Sequence, residues 1–137
     1  MNKATIINKV NKIAEHPAFK EAVGSEKVGK TQFRTLCDLA EKAECVEELA
    51  LLIDYKAAKD NKGWGLTRNG ESVGELVKKG LLELAGQITG ENADIRKIKM
   101  ASLYFGYLHW AAAVVRQERS QQRKNQHKEK NNQNARR

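Results

Sequence analysis

Residues Asn92–Arg116 read NADIRKIKMASLYFGYLHWAAAVVR. No proline interrupts them, and Gly106 is the only internal break. The segment carries Ile95, Ile98, Met100, Leu103, Tyr104, Phe105, Tyr107, Leu108, Trp110, Val114 and Val115. Ile98, Phe105, Leu108 and Ala112 recur three, four or seven residues apart, which is one stripe of a helix; Tyr104, Tyr107 and Ala111 repeat that spacing one row round. A helix apolar over more than half its circumference has to be covered by the rest of its chain, by another subunit, or by both. Gly106 costs such a helix roughly 1 kcal/mol relative to Ala, a loss that close packing at that point would explain. Tyr104, Phe105, Tyr107, Leu108 and Trp110 are therefore expected in the core or at a subunit interface.

Charge divides the chain into two parts. Of the 137 residues, 25 are Lys or Arg and 17 are Asp or Glu, a formal net charge of +8. Arg116–Arg137 holds eight basic and two acidic residues, which leaves only +2 on residues 1–115. A near-neutral body with a cationic arm points to an anionic polymer as partner, RNA or DNA first and an acidic protein surface second. The domain reading is a helical bundle over 1–116 and a basic, Gln/Asn-rich tail over 117–137. The tail prolongs the last helix for a few turns and is then expected to be disordered, because its apolar periodicity has ended.

Working outward from the last helix, apolar periodicity predicts the remaining elements. Residues 3–16 carry Ile6, Ile7, Val10, Ile13 and Ala14 and are stopped by Pro17; Ala18–Val23 reads as at most one further turn. Thr31 is placed to cap a helix presenting Phe33, Leu36, Cys37, Ala40 and Ala43. A helix over 45–60 follows, with Val46, Leu49, Ile53 and Ala57 on one stripe, Leu52 beside it, and Tyr55 assigned to the core or an interface. The glycine-rich DNKGWGLTRNG reads as a long loop, and Val73, Leu76, Val77, Leu81, Leu84 and Ile88 define a helix weakened by Gly74 and Gly80. No segment alternates well enough for a strand. The expected fold is therefore all-α, a compact bundle of about five helices.

Few residues offer chemistry for an enzyme. His16, His109 and His127 are scattered, and Glu44, Glu47, Glu48, Asp54 and Asp60 sit among lysines as solvated helix faces. Glu91 and Asp94 suit the start of the last helix electrostatically. Cys37 and Cys45 could pair by count, but both fall in helical patterns, Cys37 as a small buried apolar group and Cys45 as incidental; a zinc site would need more ligands nearby. No catalytic residue, metal or cofactor is expected. ATIINKV is too short and too interrupted for a secretory or membrane-spanning segment, so the expected location is cytoplasmic, with no membrane partner.

Binding chemistry is better represented. Lys30, Arg34, Lys56, Lys59, Lys62 and Arg68 lie on two helices and the glycine loop, and antiparallel packing would bring Arg34 alongside Lys56 and Lys59. Arg116, Arg119, Arg123 and Lys124 open the cationic arm. Such a set suits phosphate tracking. Trp64, between two glycines and beside Lys62, looks exposed and is a candidate for stacking on a base, with core filling the equal alternative. No compact pair of helices presents a recognition face to base edges, so backbone rather than sequence would be gripped.

Three stretches, KTQFRTLCDLAEKA, LALLIDYKAAKDNK and FGYLHWAAAVVR, together resemble the small subunit of type III CRISPR effector complexes. KTQFRTLCDLAEKA is similar to the family's first helix. LALLIDYKAAKDNK is similar to its Leu-x-Tyr-x-Ala-Ala-Arg segment, with Tyr55, Ala57, Ala58 and Lys59 in matching places. FGYLHWAAAVVR is similar to its aromatic closing helix, through Phe105, Tyr107, Leu108, Ala111 and Ala112. The chain departs from that pattern in His109-Trp110, where Glu-Ala is expected, in Lys59, which replaces Arg, and in its basic tail. The resemblance implies a non-catalytic subunit of an antiviral ribonucleoprotein that stacks in several copies and contacts guide and target RNA. Arg34, Lys56 and Lys59 would face nucleic acid; Tyr55, Phe105 and Leu108 would lie in the core or on subunit contacts; self-association and contacts with the other effector subunits would follow. The alternatives are a free-standing nucleic-acid-binding adaptor and a scaffold directed at proteins alone.

Overall fold

The computed structural model describes residues 1–29 and 31–135, the last six of these as backbone only; Lys30, one of the expected phosphate contacts, lies outside the described residues. The described residues form an all-α bundle of six helices: α1 Lys3–Glu15, α2 Pro17–Gly24, α3 Gln32–Lys42, α4 Val46–Lys59, α5 Val73–Gly86 and α6 Ala93–Ala135. The sixth arises where one further turn was expected. Pro17 does end α1, but it then occupies the first turn of α2, where its missing N–H costs nothing. His16 caps that helix, its Nδ1 accepting from the Ala18 amide at 3.1 Å.

The glycine loop is also more ordered than the sequence suggested. Thr67–Arg68 (β1) and Glu71–Ser72 (β2) form a small antiparallel hairpin. Asn69 and Gly70 turn it with φ of 52° and 80°, the left-handed pair that a two-residue hairpin requires. The hairpin delivers Ser72 as the cap of α5: its side chain accepts from the Glu75 amide at 3.1 Å, while Glu75 accepts from the Ser72 amide at 3.3 Å. Thr31, by contrast, stands at the start of α3 without capping it through its side chain.

The core runs the length of the bundle along α6. Tyr104, Phe105, Leu108 and Ala112 are fully buried, together with Phe19, Phe33, Leu36, Ile53, Leu81 and Leu84 from the surrounding helices. Each large apolar side chain stabilises the fold by roughly 1.5–3 kcal/mol relative to leaving it in water. The two glycines of α5 are explained by close approach. A Cβ on Gly74 would stand 2.8 Å from the Ala57 Cβ, and one on Gly80 would meet the Tyr104 hydroxyl and, at 3.0 Å, Ile13 Cδ1. That hydroxyl donates to the Val77 carbonyl at 2.8 Å. Gly106 is less constrained than expected: a Cβ there would meet only Cys37 Sγ, at an ordinary 4.0 Å.

The stretch read as the organiser stays packed on the body three residues past Arg116. Arg119 donates to Glu21 at 3.1 Å and lies against Gly24 at the end of α2. From Ser120 to Glu129 every side chain is exposed. An extension that buries nothing derives no stability from packing, and isolated polar helices are marginal in water.

Candidate nucleic-acid interface

The site is built around Trp64. Asp60 ends α4 by accepting at Oδ1 from the Lys62 amide (3.2 Å) and the Gly63 amide (3.0 Å), a side-chain-closed turn. The chain then doubles back so closely that a Cβ on Gly65 would sit 2.5 Å from the Ala57 carbonyl oxygen. The two glycines thus allow the backbone to turn against the end of α4 and drive Trp64 inward. It is 2 % exposed, its ring centroid lies 5.3 Å from that of Phe33, its indole N–H donates to Gln32 Oε1, and its carbonyl accepts from Gly74 at 2.8 Å. Of the two readings of Trp64, stacking on a base or filling the core, the structure has the second. The residue is core, because a ring flanked by glycines can be swallowed as easily as displayed.

The buried indole gathers cations around it instead. Lys56 extends over its ring, the ammonium 5.9 Å from the centroid. The start of α3 touches the same ring, so Arg34 lies at the same end of the α3–α4 hairpin as Lys56, Lys59 and Lys62. The α2–α3 connection joins them, since a Cβ on Gly63 would meet the Lys27 carbonyl at 2.8 Å. Lys27, Arg34, Lys59 and Lys62 are exposed and Lys56 is half-buried. None of the five takes part in an ion pair among the described residues. Lys27 was missed from the sequence because nothing in a polar loop signals where its backbone will dock.

Helix α3 also packs along α6. Cys37 Sγ meets the Ser102 carbonyl at 3.3 Å, while Glu41 and Ala43 stand beside Ile95 and Ile98. The two helices therefore run antiparallel, and Arg34, one turn before Cys37 on the same stripe, comes to about the level of Gly106 to His109. About two turns further along α6 is Arg116. His109 Nδ1 and Arg116 Nη1 are both buried without a hydrogen-bond partner among the described residues. The arm leaves the body here, carrying exposed Arg123 and Lys124 beyond the Arg119–Glu21 pair.

Other expected contacts fall elsewhere. Arg68 belongs to the separate hairpin and donates to its neighbour's carbonyl, Thr67, at 2.8 Å. Tyr55 is 56 % exposed and Trp110 67 %, which removes both from the core although it leaves them surface for a partner. Lys59 covers the Tyr55 ring at 4.8 Å and donates to its hydroxyl at 2.9 Å. That hydrogen bond, aided by the ammonium's charge, lowers the tyrosine pKa and raises that of the lysine. Tyr104, Phe105 and Leu108 are core as expected, and Tyr107 is half-buried against it.

Cys37 and Cys45 are both free. Among the described residues no three His, Cys, Asp or Glu side chains are grouped as a metal would need, and no helix is long and apolar enough to cross a membrane. No protein-family model, curated protein or solved structure matches the chain.

Proposed function

We propose that the chain is a non-catalytic RNA-binding structural subunit, gripping the sugar–phosphate backbone with one end of its bundle. One observation carries this reading: Lys27, Arg34, Lys56, Lys59 and Lys62, drawn from two helices and two loops at the Trp64 end of the bundle, form no ion pair among the described residues. Desolvating or pairing these cations is a task left to a ligand, and phosphates are the anions that a spread of Lys and Arg accommodates without reading sequence. The resemblance to small subunits of type III CRISPR effector complexes adds the setting, an RNA-guided antiviral assembly in the cytoplasm. Its first two motifs fall on adjacent helices, and the matching cations Arg34, Lys56 and Lys59 share one end of that hairpin.

The test is binding of labelled single-stranded RNA and of an RNA duplex at several salt concentrations. Three forms are compared: the full chain, the chain ended after Arg119, and the Arg34→Gln/Lys59→Gln/Lys62→Gln variant. All three substituted side chains are exposed, so the fold is retained. Loss of three phosphate contacts lowers the slope of log affinity against log salt by about 2 for single strands. The weakening should be equal across RNA sequences. Binding lost with the arm but untouched in the triple variant would refute the body site, and absence of binding in every form would refute an RNA role. A protein-directed scaffold is the second reading, favoured by the apolar side chains that α6 leaves in solvent.

A further inference from the structure

The outer face of α6 is apolar and uncovered by its own chain. One flank of the helix packs on α3 through Cys37 and Ser102, while the other lies beside Ala14 and Lys20 through Ala111 and Val115. Between them Leu103, Trp110 and Val114 are 36 %, 67 % and 57 % exposed, and half-buried Tyr107 stands against Trp110 with ring centroids 5.5 Å apart. The spacing 103, 107, 110, 114 alternates four and three residues, the seam that two packed helices share. On the α3 side the seam runs into an open groove of about 770 Å³, where Ile95 and Ile98 sit beside Glu41 and Glu44.

The face is complementary to itself when reversed. Leu103 and Val114, Tyr107 and Trp110, and exposed Lys99 and Glu118 are each equally spaced about one point between Leu108 and His109. Two copies related by a two-fold axis through that point set Leu103 against Val114 and the Tyr107–Trp110 pair against its counterpart. The same operation brings Glu118 to the level of Lys99. It also carries Arg123 and Lys124 to the level of Ala93 and Asp94, beside the groove flanked by Glu41 and Glu44. In a parallel arrangement like meets like instead, with Lys99 on Lys99 and arm on arm.

We infer that the chain forms an antiparallel homodimer through this face of α6, independently of whether it binds RNA. A two-fold interface requires such self-complementarity, and an unrelated partner gives no reason for it. The arrangement leaves the Trp64 end of each bundle free, one at either end of the pair.

Sedimentation of the full chain, free of nucleic acid and at micromolar concentration, should give a dimer. Trp110→Glu should raise its dissociation constant about 100-fold or more while far-UV circular dichroism stays folded. Orientation is read by cysteine pairing in a Cys37→Ser/Cys45→Ser background. Leu103→Cys with Val114→Cys should oxidise to a covalent dimer. The two thiols lie about 16 Å apart along one helix and cannot close within a chain. Leu103→Cys alone should stay uncrosslinked. A monomer across the concentration range overturns the inference, as does a dimer indifferent to Trp110→Glu. Efficient crosslinking of Leu103→Cys alone overturns the antiparallel orientation.

Discussion

Leu103 and Phe105 stand two residues apart on the same helix, one 36 % exposed and the other fully buried. The same contrast divides Leu108 from Trp110, buried and 67 % exposed. Two faces of α6 are thus equally apolar in composition, but only one is covered by the folded chain. The buried face determines whether the bundle exists. The outer face adds little to a single molecule, and the dimer inferred above is what would cover its large side chains. Substitutions that look alike on paper should therefore separate widely.

The largest separation is expected between Phe105→Ala and Trp110→Ala. Removing a fully buried phenyl ring costs about 3–5 kcal/mol, a large part of the stability of a domain this size. Trp110→Ala should change it by no more than ~0.5 kcal/mol when the protein is dilute enough to be monomeric. Urea unfolding followed by circular dichroism reads both. A Trp110→Ala variant as weak as Phe105→Ala would mean that the outer face is structural after all.

A finer contrast lies on α5, against the inner face of α6. Ala is the better helix former, yet at Gly80 its methyl would strike the Tyr104 hydroxyl and stand 3.0 Å from Ile13 Cδ1. Gly80→Ala should destabilise by about 1–3 kcal/mol. Gly86→Ala, where nothing lies within 4 Å, should instead stabilise by up to about 1 kcal/mol. Alkali tests the same contact. Burial, with a smaller effect from the Glu83 carboxylate, raises the Tyr104 pKa well above tyrosine's ordinary 10.0. Above that pH the unfolded chain releases a proton that the folded chain retains. The stability it contributes is full below pH 10.0 and falls as the pH rises toward the folded value. Tyr104→Phe should lose that part of the decline, at a fixed cost of about 1 kcal/mol for the missing hydrogen bond to Val77.

Much of the bundle was legible because helical periodicity is a local property. The burial of Phe33, Leu36, Val46, Leu49, Ile53, Val77 and Leu81 follows from spacing alone. What spacing could not reveal was which neighbour a residue meets. Trp64 looked exposed because its flanking glycines suggest mobility, and it is buried because those glycines permit the turn that inserts it. The hairpin was announced by Asn69-Gly70, but strands of two residues are too short for alternation to register. The cationic end was legible in part, since antiparallel packing of the two helices was expected to bring Arg34 alongside Lys56 and Lys59. Lys27 was not, because only the docking of its backbone against Gly63 places it there. On α6, composition required a cover for more than half the circumference, and only tertiary structure distinguishes the face the chain covers from the one it leaves.

The smallest effect is expected where α6 outruns the body. Arg119 is the last residue held, by Glu21 at 3.1 Å, and the ten side chains from Ser120 to Glu129 are exposed. Ending the chain after Arg119 removes no buried apolar surface among the described residues, so its urea midpoint should match that of the full chain to within ~0.5 kcal/mol. Far-UV circular dichroism of the full chain should show an excess of helix that is lost gradually on warming, before the cooperative transition, because an unpacked helix melts by fraying rather than with the core. The truncated chain should lack that early slope. Glu21→Gln should extend the slope inward by releasing Arg119, with little change in the main transition, since a partly exposed ion pair contributes about 1 kcal/mol or less. A truncation that lowers the cooperative midpoint by several degrees would mean that the arm packs on the body or on a second copy. Repeating the measurement at tenfold lower concentration separates the two, because stability gained from a partner falls with dilution and stability gained within one chain does not.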